Sequence, residues 1–139
     1  MDVTPYLNFN GNCAEAFQFY QKLFGGTIVA MLTHGETPAK DAVPASWHGK
    51  IMHARLNVGA SALMGSDVPP DRFTPASGVS VTLTFDAPAE AERVFAGLAA
   101  QGRVTMPFQK TFWSPGFGMT TDRYGIPWMV NTAGAAAAV

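Results

Sequence analysis

The chain repeats itself, and few folds are built that way. YLNFNGNCAEAFQFYQKLFGGTIV at residues 6–29 is answered by VTLTFDAPAEAERVFAGLAAQGRVT at residues 81–105. Phe9 falls on Phe85 at an offset of 76 (85 − 9). The same offset sets Asn10 on Asp86, Phe19 on Phe95, Gly26 on Gly102 and Ile28 on Val104. These are the places where a first strand ends, a helix buries a ring, the helix stops and the next strand begins. Self-similarity at a fixed period marks a supersecondary unit used more than once.

Each copy reads β-α-β-β-β. Residues 4–10 alternate, with Leu7 and Phe9 on one side and Tyr6, Asn8 and Asn10 on the other, which is a strand with one buried face. Asn12 is a suitable N-cap and Glu15 the acid of a capping box. Ala16, Phe17, Tyr20, Leu23 and Phe24 form one helical stripe, and Gly25-Gly26 supplies the left-handed stop. Strands follow at 27–33, 50–58 and 61–66, with a long loop predicted at 34–49. The proline-rich stretch 67–78 reads as a linker between modules at about 4–66 and 79–131. In the second module Val79, Val81, Leu83 and Phe85 alternate with Ser80, Thr82 and Thr84. Asp86 is placed to cap a helix with Pro88 in its first turn and Gly102 as its stop, and Ala91, Val94, Phe95 and Leu98 make its stripe. A short strand at 103–106, an aromatic loop at 107–118, a hairpin around residues 122–125 and a frayed tail at 132–139 complete the reading.

The helices need an apolar sheet face. Leu7, Phe9, Met52, Ala54, Leu56, Val58, Val79, Val81, Leu83 and Phe85 supply it. The other face carries Tyr6, Asn8, His53, Arg55, Asn57, Ser80, Thr82 and Thr84. An ordinary two-layer α+β domain exposes such a face to water; two halves that curl together line a cup with it.

Composition narrows the partners. Nine basic and ten acidic residues give a net charge of −1, which leaves no basic stripe for nucleic acid. The single cysteine, Cys13, forms no internal disulfide and suits a reducing compartment. The N-terminal MDVTPYLNF lacks the features of a signal peptide, and no apolar run is long enough to span a bilayer. The expectation is a cytoplasmic protein with neither nucleic acid nor membrane as partner.

Three segments, PYLNFNGNCAEAFQFYQKLFGG, KIMHARLNVGASALMGSD and FWSPGFGMTTDRYGIPWMVN, resemble the vicinal oxygen chelate superfamily of glyoxalase I, extradiol dioxygenases and bleomycin-resistance proteins, and within it the PhnB-like group. The resemblance covers nearly the whole chain. It implies an α+β fold of paired βαβββ modules forming a cupped, barrel-like mixed sheet, the glyoxalase/bleomycin-resistance fold. It also implies a homodimer, and a mononuclear metal held by four side chains, usually His and Glu, from the first and last strands of each half. Carried over by register, those positions are Tyr6 (or the neighbouring Pro5), Met64, Ser80 and Met129, none a normal ligand for a divalent ion. Of the four glutamates, Glu15, Glu90 and Glu92 lie on helices and only Glu36 is free. No metal cofactor is therefore expected at the superfamily's positions. An unconventional divalent site built from His34, Glu36, His48 and His53 stays open, although their spacing fits no standard motif. Members of the PhnB-like group are sometimes named demethylubiquinone methyltransferases. No glycine-rich strand-to-helix turn for a nucleotide is present, because Gly116-Phe117-Gly118 runs into a strand.

The candidate catalytic pair is His53, as general base, and Arg55, as a clamp for carboxylate or phosphate. The bland alternative is that both merely satisfy acceptors on a half-exposed sheet. The candidate ligand-binding set is Tyr6, Asn8, Trp47, Asn57, Met64, Ser80, Thr82, Phe112, Trp113 and Met129. Aromatic loops over a cup suit a flat or apolar small molecule, and they suit a partner chain equally well. Cys13 at a helix start is open to activation by the helix dipole, but a lone cysteine on an alanine-rich turn is more often small packing. Three functions remain: a metal-independent binder of a small apolar or aromatic molecule, an enzyme using His53 and Arg55 without the usual metal, and a dimeric interaction protein.

Overall fold

A computed structural model describes residues 1–134. It divides into two compact units, Met1–Pro75 and the chain from Ala76 onward. The first contains β1 (Tyr6–Phe9), α1 (Cys13–Phe24), β2 (Thr27–Thr33), β3 (Ile51–Val58) and β4 (Ser61–Asp67). The second contains β5 (Val81–Phe85), α2 (Pro88–Ala99), β6 (Arg103–Gln109), β7 (Phe117–Thr121) and β8 (Pro127–Thr132). The strand orders are β1-β4-β3-β2 and β5-β8-β7-β6. In each sheet one parallel pair, β1 with β4 or β5 with β8, joins an otherwise antiparallel meander. The internal repeat is thus a repeat of topology as well as of sequence.

The first strands keep the offset of 76 (82 − 6 = 76), and the matching register pairs are Tyr6–Met64 and Thr82–Met129, whose last-strand members are 65 apart (129 − 64 = 65). The helices are one residue out of step (88 − 13 = 75), so the buried ring matching Phe95 is Tyr20 rather than Phe19. Gly26 and Gly102 correspond for a physical reason. A Cβ on Gly26 would stand 2.2 Å from the Asn57 carbonyl oxygen, and one on Gly102 would stand 2.3 Å from that of Thr121. Only glycine lets the chain leaving the helix pass so close to the neighbouring strand.

Each helix buries its apolar stripe on its own sheet. In the first unit Ala16, Phe17 and Tyr20 pack with Phe9, Ala54 and Leu56, and Phe9–Phe17 and Phe17–Tyr20 meet edge to face at centroid distances of 6.1 and 6.0 Å. In the second, Ala91, Val94, Phe95 and Leu98 are buried, as are Trp128 and Val130 of β8. A glycine lies under the helix in both: Gly65 beneath Phe17, Gly118 beneath Phe95.

Several local expectations change. Asn12 makes no side-chain cap bond; Asp67, the last residue of β4, does that work. Ala87, not Asp86, is the N-cap of α2, and it has no side-chain bond there. The left-handed residue after α2 is Gln101, φ 60°, not Gly102. Met52 is the extra residue of a bulge, since Leu32 pairs His53 while Thr33 pairs Ile51, and so Ile51 takes the buried position. Val79 is 74% exposed and, with Ser80, precedes β5. The aromatic loop shrinks to residues 110–116 because β6 continues to Gln109. As an edge strand with register shifts, β6 tolerates Pro107. The 34–49 stretch is three 3-10 turns, His34–Glu36, Pro38–Ala42 and Ala45–Trp47, rather than an irregular loop. Thr132 belongs to β8 and is buried, and Ala133 N–H donates to the Phe85 carbonyl at 2.7 Å. The rest of the expected tail, 135–139, lies outside the described residues.

Candidate functional site

The face of the first sheet turned away from α1 carries the polar side chains. Register places Tyr6 beside Met64 and Met64 beside Arg55, with Asn8 and Ser66 one step along and His53 opposite Leu32. The Tyr6 hydroxyl and His53 Nδ1 lie 3.1 Å apart, and the two rings stack at 5.8 Å with planes 27° apart. Arg55 Nε donates to Asn57 Oδ1 at 2.9 Å, and its Nη1 rests 3.8 Å from Met64 Sδ. Among the described residues no carboxylate pairs with Arg55. The strand alternation that hides Ala54 and Leu56 turns His53, Arg55 and Asn57 to the open side. Tyr6, His53, Arg55, Asn57 and Met64 therefore form one patch, with Asn8 at its edge. A guanidinium oriented by an amide and a thioether, with donors to spare, has the chemistry to clamp an anion. An imidazole bonded to a phenol through Nδ1 keeps Nε2 for other work.

The other expected site residues belong to the second unit or to a different part of the first. Thr82 and Met129 are register partners on the open face of the second sheet. Ser80 lies ahead of β5, so Thr82 rather than Ser80 is the residue matching Tyr6. Phe112 is 91% exposed and meets Trp113 edge to face at 4.7 Å; Trp113 meets Phe117 in the same way at 5.3 Å. Ser114, fully enclosed, fixes this loop: its hydroxyl reaches the Gly116 and Thr132 carbonyls at 2.8 and 3.0 Å. Trp47 lies instead by Gly11 and Lys50, whose Nζ is 6.0 Å from the ring centroid and donates to the Gly11 carbonyl.

The residues present do not fit the metal that the resemblance implies. Tyr6 with Met64, and Thr82 with Met129, offer neither imidazole nor carboxylate, and the Arg55 cation already rests on Met64. The four residues of the unconventional set are each engaged separately. His34, far from being solvated, is buried, with Nε2 3.2 Å from the Asp67 carbonyl. Glu36 Oε1 accepts from Thr33 Oγ1 and N–H, which holds its carboxyl below the usual carboxylate range. His48 Nε2 is 2.7 Å from the Lys40 carbonyl, and His53 meets Tyr6. Among the described residues no three His, Cys, Asp or Glu side chains converge as a ligand set.

Cys13 is packing rather than a nucleophile. It is fully buried, and that burial, with the Asp67 carboxylate beside it, pushes its thiol well above the ordinary range. Sequence reasoning missed Asp67 itself. Its Oδ1 accepts from Gly11 and Cys13 N–H, both at 2.9 Å, and Oδ2 from Ile51 N–H at 2.8 Å. One buried carboxylate thus ties the β1–α1 turn to the start of β3.

With this geometry in view, comparison with known proteins decides the family. Residues 1–131 match the 3-demethylubiquinone-9 3-methyltransferase family. Protein YjdN of Escherichia coli strain K12 is 37% identical over 139 residues, covering 94% of this chain and 95% of that protein. The chain belongs to this PhnB-like family. A crystal structure of protein PA1353 from Pseudomonas aeruginosa is similar at 51% identity and TM-score 0.88, covering 95% of this chain and 97% of that one. A putative 3-demethylubiquinone-9 3-methyltransferase, PhnB protein, from Bacillus cereus is 27% identical with TM-score 0.79, covering 96% and 100%. A glyoxylase/bleomycin resistance protein/dioxygenase domain from Frankia, at 9% identity and TM-score 0.63, covers 95% of this chain and 94% of that one and shares the fold alone. The PhnB-like family assignment thus carries the expected α+β glyoxalase/bleomycin-resistance fold of two four-stranded mixed sheets and two helices. Among the described residues no helix is long and apolar enough to cross a membrane.

Proposed function

We propose that this PhnB-like protein binds a small, flat or apolar molecule carrying an anionic group, on the open face of its first sheet and without a metal. The observation that carries the reading is Arg55, pre-oriented by Asn57 and Met64 and free of any carboxylate partner among the described residues. Arg55 clamps the anion, and the Tyr6 ring, 45% exposed and stacked on His53, offers a flat apolar surface beside it. Calorimetric titration with 2-naphthoate tests this. Arg55→Ala weakens binding by at least roughly tenfold, as expected for a lost charge-assisted clamp, while Lys22→Ala on the exposed side of α1 leaves it alone. Equal affinity in wild type and Arg55→Ala, or no binding by wild type, overturns the reading.

The Tyr6–His53 bond favours a second reading, an enzyme in which His53 Nε2 takes a proton from a substrate held by Arg55. Under this reading His53→Ala abolishes turnover of a bound carbonyl compound while the variant remains folded and still binds it. The family name adds a methyl transfer to the candidate chemistries, but no residue of the patch supports it.

A further inference from the structure

We infer a second small-molecule site in the first unit, independent of the polar patch, that takes an aromatic zwitterion of the amino-acid type. The site is a cleft of about 440 Å³ between the 3-10 turns of residues 38–47 and the turn at residues 69–72. That volume lies within the range of ligand pockets, roughly 300–1,000 Å³. Its apolar walls are the Trp47 indole, Pro44, Pro69 and Pro70, and its rim carries Asp71 and Arg72. The walls are stiff: prolines hold their backbone, and Arg72 N–H donates to the Pro69 carbonyl at 2.9 Å. The Lys50 ammonium lies 6.0 Å from the centroid of the same indole and is held there by its bond to the Gly11 carbonyl.

Charge selects the ligand. Asp71 and Arg72 are exposed neighbours of opposite sign, and among the described residues neither has an ion-pair partner. Both line an aromatic cleft, where Asp71 offers an acceptor for an ammonium and Arg72 donors for a carboxylate, with the ring of the ligand laid against Trp47 and the prolines. The cleft shares no residue with the Tyr6–His53–Arg55 patch, so the two sites stand or fall separately.

Calorimetry with L-phenylalanine, 3-phenylpropionate and phenethylamine tests the assignment. L-Phenylalanine binds best. Arg72→Ala weakens it by at least roughly tenfold, Trp47→Ala does at least as much, and Lys22→Ala on the exposed side of α1 changes nothing. Arg72 is exposed, so its removal leaves the fold intact even where the Trp47 variant is unstable. Absence of L-phenylalanine binding to wild type, or affinity unchanged in Arg72→Ala, overturns the site. Loss in Arg55→Ala with retention in Arg72→Ala moves the ligand to the patch and likewise overturns it.

Discussion

The two units share a topology and differ in what they place on it. On the open face of the first sheet stand a phenol, an imidazole, a guanidinium and an amide around Met64. On the same face of the second sheet the matching strands bring Thr82, Thr84, Met119, Met129 and Asn131, with no titratable group among them. The difference continues at the matching ends of β4 and β8. Phe9 pairs with Asp67, and Phe85 with Thr132. Asp67 spends both oxygens on three backbone donors and fixes the start of α1. Thr132 leaves its buried Oγ1 without a partner, and α2 begins instead on Pro88, which brings no N–H to satisfy. A duplicated frame therefore keeps its glycines and its helix stripes, while the first unit adds titratable side chains on its open face and a buried carboxylate that fixes the start of its helix.

The largest break in this comparison comes from Asp67→Ala. It strands three backbone N–H groups, two of them in buried bonds, and costs roughly 3–5 kcal/mol, read as a fall in the denaturant midpoint at constant m. Thr132→Val at the matching position is isosteric and removes an orphan hydroxyl; its stability stays level or rises by up to about 1 kcal/mol, and a comparable loss in both would erase the asymmetry. Next come the glycines beneath the helices. A Cβ at Gly65 meets Phe17 Cε1 at 2.8 Å, and one at Gly118 meets Phe95 Cε1 at 2.6 Å. Gly65→Ala and Gly118→Ala each cost about 1–3 kcal/mol, and thermal melts showing no loss in either would mean the helices are not seated as described.

The smallest effect is confined to alkaline pH. The Cys13 thiol is raised by burial first and by Asp67 second, so the folded chain holds its proton where the unfolded chain releases it. Stability from this group is complete below the ordinary thiol value of 9.0 and declines as pH rises above it. Cys13→Ala flattens that alkaline decline in a chemical-denaturation series, whatever it costs at neutral pH; an unaltered slope contradicts the assignment.

Much of the frame was legible in the residues because alternation and glycine stops are local signals. Leu7 and Phe9 against Tyr6 and Asn8, or Ala91, Val94, Phe95 and Leu98 along α2, give their burial away by period alone. The Tyr6–Met64 neighbourhood was accessible through the family resemblance, which names both positions, and the two strands do pair there. What escaped depends on distant partners. Nothing around Asp67 announces that its carboxylate serves Cys13 N–H, 54 residues earlier, so the local Asn12 looked like the better cap. Met52 lost its place on the buried face to a one-residue bulge, which reverses the alternation that the reading relied on. His34, in a polar stretch, is drawn inside by the Asp67 carbonyl, again a contact across the chain.

The central claim is that the small-molecule site of this PhnB-like protein is the Arg55 face of the first sheet. Its most direct test follows the side-chain Nε–H resonance of Arg55 by nuclear magnetic resonance during titration with 2-naphthoate, with Arg93 on the exposed side of α2 as internal reference. The account predicts a saturable shift at Arg55, accompanied by Tyr6, His53 and Asn57, with Arg93 unmoved. Saturable binding that leaves the Arg55 resonance in place would contradict it.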